Sequence, residues 1–454
     1  MNARQRSYWR GEGEFTVVTV TSETLAAHRL DPAVASLDAA VAGKPELRVL
    51  QVFSVLGMGG AETWLMALLK YFHENEHSLP FRVRMDICLT GGSAAVFDQE
   101  ARALGAQVFY IHYTRKTLIQ FTRAFRKILK NGQYDAIHDH QDYSSGWHFL
   151  FGWGCLPPVR IAHVHNPFFC IAAHDANTAR RLTLSAGKRL LSSLATHIAG
   201  TSREILGKYG FDDPSFKQLD IGATHCGFDV SRYRGSYQEN HRDVCDEFGW
   251  NESSKILLFV GRLDTTFGEG SNQKNPFFAL EVARAAMALD LDIRMLIAGG
   301  GEDVGNALKD RVKSWGLEAK IRLIGVRRDI PRLMMGSDLL LFPSLEEGLG
   351  MVAVEAQAAG LHVLAADVVP HECVVLPEIV CFQSLNTPAA SWASEALRLL
   401  KLPKPDPLVC NRSVEESAFS IENSARKLAA LYSAKSSLNL NLTDGGISEH
   451  PAAI

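Results

Sequence analysis

The chain has 454 residues, of which 46% are apolar and 21% charged, and its formal net charge is −3. That length exceeds one ordinary hydrophobic core and predicts two domains of roughly 200 residues each. The near-neutral balance removes any whole-chain argument for nucleic-acid binding. The opening MNARQRSYWRGEGEF has no apolar run, so it does not read as a secretory signal. No stretch reaches about 18 uninterrupted apolar residues, so no membrane span is expected.

The cysteines, at 88, 155, 170, 226, 245, 373, 381 and 410, form no CxxC pair. Scattered cysteines in a long chain read as reduced and intracellular, without a structural zinc site. The NxS/T triplets at Asn251, Asn411 and Asn441 are then chance matches.

Residues 1–46 read as an extension with one short helix over 22–42. From Leu47 onward, short apolar runs alternate with helical stretches. Strands are expected over 48–53, 84–89, 108–111, 136–138 and 159–163, and helices over 61–71, 94–104 and 117–130. A polar break over 232–253 precedes a restart of the pattern. Strands are then expected over 256–260, 293–297, 321–323, 338–342 and 361–365, and helices over 276–288, 304–315 and 351–359. Strands alternating with helices imply parallel sheets covered on both faces. The expected organisation is an extension over 1–46 and doubly wound α/β domains over 47–235 and 236–410. A C-terminal helix over 411–434 packs back toward the first domain, and a disordered tail covers 435–454. In such sheets ligands sit beyond the carboxyl ends of the strands.

The densest signal is FPSLEEGLGMVAVE at 342–355. Glu347 and Glu355 are eight residues apart, with Gly348 and Gly350 between them at a strand-to-helix turn. Glycines let backbone N–H groups approach a ligand, and a helix N-terminus favours a phosphate. Glu355 can accept two hydrogen bonds from a ribose diol, and Glu347 can reach sugar hydroxyls. Taken alone, the motif also fits two surface glutamates flanking a turn. Three further strand ends converge on the same edge. Gly261-Arg262 closes one strand and Lys274 precedes the next helix, placing an Arg fork and a Lys charge where a diphosphate would lie. Gly299-Gly300-Gly301 and Gly325-Val326-Arg327-Arg328 follow two more strands, the latter able to border a base with main-chain groups.

These stretches, with GRL…QKNP, IAGGGED and LIGVRRDIPRLM in the second half and SVLGMGGAETWLMALL, RIAHVHNP, IAGTSREI and HCGFDVSRY in the first, resemble glycosyltransferase family 4 over most of 47–370. The family comprises retaining enzymes of the GT-B fold, with two Rossmann-like domains facing across a cleft. The resemblance implies transfer of a hexose from a nucleotide-diphosphate sugar, UDP- or GDP-linked, to an acceptor hydroxyl. No cofactor and no metal are required. Arg262 and Lys274 would hold the diphosphate, Glu355 the ribose and Glu347 the donor sugar. Leu349, Gly350 and Met351 would offer backbone amides beside Gly348. Gly261, Gly300, Val326 and Arg327 would line the donor site. The family's Arg and Lys usually stand closer in sequence than Arg262 and Lys274 do. The polar, Gly-rich insertion at 264–272 is read as a surface loop.

In the first half, Gly57-Met58-Gly59-Gly60 does not complete GxGxxG, and Leu89-Thr90-Gly91-Gly92 stands where a dinucleotide enzyme would place an acid. By resemblance, Gly59 and Gly60 face the donor phosphates instead. His165 would sit at the cleft and contact the donor sugar, with His163 on the same strand face. His138-Asp139-His140-Gln141-Asp142 tempts a metal reading, but consecutive residues alternate sides of a strand and cannot all converge.

Arg115, Lys116, Arg123, Arg126, Lys127 and Lys130 form one basic cluster, and Arg180, Arg181, Lys188 and Arg189 a second. Such helices read either as solvated faces or as contacts to anionic lipid through 115–130 and 180–189. A sugar or lipid-linked sugar acceptor would suit the second reading. The expected setting is then cytoplasmic, peripheral on the inner face of the cytoplasmic membrane, in polysaccharide, capsule or glycolipid synthesis. Three other classes remain: a GT-B enzyme making a soluble glycoside, a UDP-sugar epimerase and a non-catalytic sugar-nucleotide binding module.

Overall fold

A computed structural model describes residues 44–166, 178–263, 266–267, 271–290 and 292–434. The helix expected over 22–42, the tail from 435 and Cys170 lie outside them, as does part of the insertion at 264–272. The described residues from Pro45 onward belong to one compact unit.

The first half runs β1 (Glu46–Phe53), α1 (Gly60–Glu74), β2 (Arg82–Leu89), α2 (Asp98–Ala103), β3 (Val108–Tyr110), α3 (Leu118–Gly132), β4 (Ala136–Asp139), α4 (Ser144–Gly152), β5 (Val159–Val164), α5 (Thr178–Leu194), β6 (His197–Gly200), α6 (Arg203–Lys208) and β7 (Asp220–Ala223). The second runs α7 (Tyr237–Phe248), β8 (Lys255–Val260), β9 (Thr266–Phe267), β10 (Ser271–Asn272), α8 (Pro276–Leu289), β11 (Ile293–Ala298), α9 (Glu302–Ser314), β12 (Ile321–Gly325), α10 (Ile330–Gly336), β13 (Leu339–Phe342), α11 (Met351–Ala358), β14 (His362–Ala366), β15 (Val380–Gln383), α12 (Ala389–Leu400), α13 (Pro407–Glu416) and α14 (Ile421–Ser433).

Two sheets result, of seven strands in the order β3-β2-β1-β4-β5-β6-β7 and six in the order β12-β11-β8-β13-β14-β15. The central strands are apolar throughout, as burial on both faces requires: Leu257, Leu258 and Phe259 of β8 and Leu339–Phe342 of β13 are all at most 1% exposed. Sequence order reverses beside β1 in the first sheet and beside β8 in the second. These are the switch points at which doubly wound sheets open a crevice.

Several elements depart from expectation. The helix expected over 94–104 shrinks to α2. The C-terminal helix divides into α13 and α14 because Ser420 starts a new helix, its side chain accepting from Asn423 N. The polar break over 232–253 contains α7, which is capped by Ser236 and stopped by Gly249 in the left-handed region. Part of the insertion at 264–272 forms the antiparallel pair β9–β10.

The halves touch directly. Ser202 Oγ donates to Gly348 O at 2.6 Å, and Glu372 accepts the Arg203 backbone N–H at 2.7 Å. α14 returns to the first half, where Trp64 Nε1 donates to Ser424 Oγ at 2.9 Å.

Candidate donor-binding cleft

In the second half, the site begins where β8 ends. A Cβ on Gly261 would stand 2.9 Å from Lys274 Cγ, so the lysine stem lies across the glycine. Its ammonium thereby reaches the loop after β13, where Nζ lies 2.5 Å from Glu347 Oε1. The face of Phe342 supports the same ammonium from 5.8 Å. Lys274 thus lies at the mouth of β13 despite the insertion before it, with Gln273 Nε2 fixing the neighbouring loop through Glu346 O at 2.8 Å.

Gly348 sits against the other half. A Cβ there would stand 2.5 Å from His165 O and 3.0 Å from Thr201 Oγ1, so only glycine lets the loop approach this closely. Thr201 Oγ1 is buried and has no hydrogen-bond partner among the described residues. Leu349 is 3% exposed and fills the core of the second half. Gly350 caps α11 in the left-handed region at φ 96°, and Met351 opens that helix. A helix N-terminus of this kind favours an anion. One turn on, Glu355 meets the Tyr233 hydroxyl and lies near Arg232. Burial pushes its pKa up to about 7, with Arg232 and the Tyr233 hydrogen bond opposing. Neither Arg232 nor Tyr233 was singled out from sequence, although both close the HCGFDVSRY stretch.

Arg262 is exposed and faces Glu62 of α1 electrostatically. Gly59 caps α1 and Gly60 begins it. The Glu62 carboxylate folds back over this terminus, so that a Cβ on Gly59 would stand 2.1 Å from Glu62 Oε2. Burial raises the Glu62 pKa, while its own backbone N–H and Arg262 oppose the rise. A carboxylate thus covers the helix N-terminus at which an anion would bind.

Gly300 lies beside Val326, since a Cβ on it would stand 2.7 Å from Val326 Cγ2, and Val326 is 59% exposed. The Arg327 side chain turns away from Val326. Its guanidinium donates to Asp329 at 2.7 Å and to Glu247 of α7 at 2.7 Å, leaving its main chain as the group beside Val326.

The first half contributes His165, which follows β5. Asp142, left-handed at φ 49°, accepts the His165 backbone N–H at 3.3 Å and Asn166 Nδ2 at 2.8 Å, which fixes the turn. Burial raises the Asp142 pKa to about 6. Within the HDHQD stretch, Asp139 does turn to the opposite face, where it bonds His148 at 2.7 Å. His138 and His140 share the other face and meet His163 from β5, all three offering ring nitrogens within 4.8 Å of one another. Alternation along β4 kept this convergence from view, because it arises between strands.

The basic clusters are mostly exposed, with Ile119 at 68% and Leu182 at 64% beside them. Lys188 is the exception. It turns inward over the rings of Tyr143, Phe211 and Phe216 at 5.7–5.9 Å. No helix among the described residues is long and apolar enough to cross a membrane.

Comparison with known proteins agrees with this geometry. The family model for glycosyl transferases group 1 matches residues 254–401, and that for glycosyltransferase family 4 matches 58–213. The putative glycosyltransferase EpsF of Bacillus subtilis is 24% identical over 85% of this chain and 96% of its own length. A D-inositol 3-phosphate glycosyltransferase of Rhodococcus jostii is 28% identical over 52% of each chain. The crystal structure of Anabaena HepE in complex with UDP-glucose superposes with a TM-score of 0.66 at 15% identity, over 86% of this chain and all of that one. WaaG, a glycosyltransferase involved in lipopolysaccharide biosynthesis, superposes at 0.61 and 13%, over 85% and 99%. Both sheets, the cleft between them and the two family matches lead to one assignment: the chain belongs to the group 1 glycosyltransferases and has the GT-B fold.

Proposed function

We propose that the chain transfers a hexose from a nucleotide-diphosphate sugar to an acceptor hydroxyl with retention of anomeric configuration. One observation carries this reading. Arg262, Lys274 and the α11 N-terminus stand at the carboxyl ends of β8 and β13, where Arg262 also feels the charge of Glu62 at the start of α1. Two cations and the α11 terminus suit a diphosphate leaving group without a metal ion. HepE's complexes with UDP-glucose and UDP support a nucleotide-sugar donor here.

In the reaction the bond from the anomeric carbon to the diphosphate oxygen breaks, and a bond to the acceptor oxygen forms on the same face. The acceptor proton passes to the departing phosphate. Lys274, which pairs with Glu347 in the free enzyme, turns to the diphosphate as charge develops there. Arg262 and the helix amides share that charge. Glu347 is released to bond sugar hydroxyls, Glu355 takes the ribose diol, and closure of the cleft limits donor hydrolysis.

The similarity to EpsF supports an exopolysaccharide setting and WaaG a lipid-linked one. α3 and α5 both pack against α4, which brings the basic clusters to one region of the first half. Exposed cations interleaved with Ile119 and Leu182 suit an anionic bilayer surface. Sedimentation with phosphatidylglycerol vesicles should pull the chain down at low salt and release it at high salt.

The donor site is tested by melting the protein with UDP, GDP, ADP and dTDP, each with and without EDTA. A ligand at a hundred times its Kd adds about 2.7 kcal/mol. One nucleotide should stabilise the protein regardless of EDTA and fail to do so in Glu355→Ala. No shift with any nucleotide would overturn the assignment.

A further inference from the structure

Four imidazoles stack between β4 and β5 with their hydrogen bonds joined end to end. His138 Nε2 lies 3.0 Å from His163 Nδ1, and His140 Nδ1 lies 2.8 Å from His165 Nε2. The outer nitrogens of the first two rings reach β1 and α14. His140 Nε2 lies 2.8 Å from Gln51 Oε1, and His138 Nδ1 lies 2.7 Å from the Tyr432 hydroxyl. Gln51 Nε2 closes the circuit by donating to Tyr432 Oη at 3.1 Å. Trp64 packs over all four rings, with centroids 5.4–6.2 Å away. Burial and mutual proximity hold His138, His140 and His163 well below their usual pKa, and burial holds His165 near about 3, so all four are neutral.

A neutral imidazole carries one proton, so each link fixes the next. Gln51 Oε1 accepts, so His140 carries its proton on Nε2 and offers a bare Nδ1. His165 must then donate from Nε2. On the other arm, Tyr432 accepts from Gln51 and passes its own proton to His138 Nδ1. His138 therefore donates from Nε2 to His163 Nδ1, and His163 keeps its proton on Nε2. Reversing the Gln51 amide would reverse His140 and His165 together, and the His138 arm follows because His138 Nδ1 is the acceptor within reach of the Tyr432 proton.

One end of the network decides between these two states. Gln51 Nε2 also points at Met85 Sδ at 3.6 Å, an acceptor that an amide oxygen could not use. Cys226 Sγ lies 3.9 Å from His165 Nδ1, a contact that a thiol can make as weak donor or weak acceptor and that therefore suits either state. His163 Nε2 is buried without a hydrogen-bond partner among the described residues, so that end does not choose between the states.

We infer that Gln51 is a positioning residue: with Tyr432 it holds all four histidines as Nε2–H tautomers, so that His165 presents an unprotonated Nδ1, a hydrogen-bond acceptor, to the donor sugar. This specifies a hydroxyl, not a carbonyl, as the group that His165 contacts. It rests on the reading of His165 as a donor-site residue. A zinc ion among these rings is the competing occupant. Tetrahedral ligation at about 2.0–2.1 Å would place its nitrogens about 3.3 Å apart. The observed spacings are those of hydrogen bonds.

The test reads the tautomers of the full-length protein by NMR with 15N-labelled histidine, assigned through single-histidine replacements, together with elemental analysis for zinc. Expected is an unprotonated Nδ1 and a protonated Nε2 on all four rings, without stoichiometric metal. One of these rings with its proton on Nδ1, or zinc bound to them, overturns the inference. Because this spectrum needs no nucleotide, its failure is separable from failure of the donor-site assignment. In Gln51→Met the Nδ1–H form of His165 should appear, with kcat lowered roughly tenfold, the worth of one misdirected hydrogen bond. Loss of activity with unchanged tautomers also overturns it. If that variant does not fold, the wild-type spectrum decides alone.

Discussion

The Lys274 ammonium lies 2.5 Å from the Glu347 carboxylate, and the two side chains are only 16% and 7% exposed. In the donor-free protein each charge therefore neutralises the other. Lys274→Ala should lower turnover by roughly a hundredfold or more through lost stabilisation of the leaving group. It should also cost about 3 kcal/mol of stability by stranding the Glu347 charge. The double variant Lys274→Ala/Glu347→Ala should recover part of the stability and none of the activity, as melts and product assays on the same preparations would show.

Glu355 gives the cleft a pH dependence. Its folded pKa of about 7 exceeds the ordinary 4.5, so the folded chain holds an extra proton between those values. Its contribution to stability is therefore present at low pH and is lost as pH rises through that window. Nucleotide binding should move the other way and tighten as pH rises through 7, because the carboxylate offers more acceptor sites to the ribose. Titrations of wild type and Glu355→Gln across pH 6–8 separate this effect from ionisation of the ligand. Parallel curves for the two proteins would remove Glu355 from the ribose site.

Gly348 holds the two halves together by having no side chain. A methyl group there would meet His165 O at 2.5 Å, and backbone does not yield as a flexible side chain does. Gly348→Ala should therefore cost about 1–3 kcal/mol and lower activity by moving His165 away from the Glu347 loop. A wild-type melting temperature would show that the halves can separate there without loss.

Arg327→Ala should leave nucleotide affinity unchanged. Its guanidinium is occupied by Asp329 and Glu247, so the variant should lose about 1 kcal/mol of stability from that partly exposed network. A tenfold weaker nucleotide Kd would instead assign the side chain to the donor.

The local structure around the two glutamates of the second half was readable because it lies in one window. The FPSLEEGLGMVAVE stretch carries its strand, its glycine turn and both carboxylates within one window, and the structure folds it as β13, a loop and α11. What stayed hidden joins distant positions. Arg327 meets Glu247 across 80 residues of sequence, and His138 meets Tyr432 across 294. α7 was missed because its outward face is almost wholly polar, with only His241, Val244 and Cys245 buried. Glu62 stood in plain view in GGAE, but nothing in a linear motif tells that its carboxylate doubles back over the helix terminus. Ser420, a weak signal between Phe419 and Ile421, was enough to break the final helix in two.

α14 has a consequence for the order in which the protein is completed. Tyr432 and Ser424 supply the last hydrogen bonds to Gln51, His138 and Trp64, residues made at the start of the folded unit. A chain emerging from the ribosome can pair β1 with β2 and β4 early, but its imidazole stack stays unfinished until the second half has been translated and its final helix has crossed back. The first half is thus a nascent intermediate with a polar gap in its core. Ending translation a few residues short of Tyr432 would leave every cleft residue in place and the stack without its terminal hydroxyl.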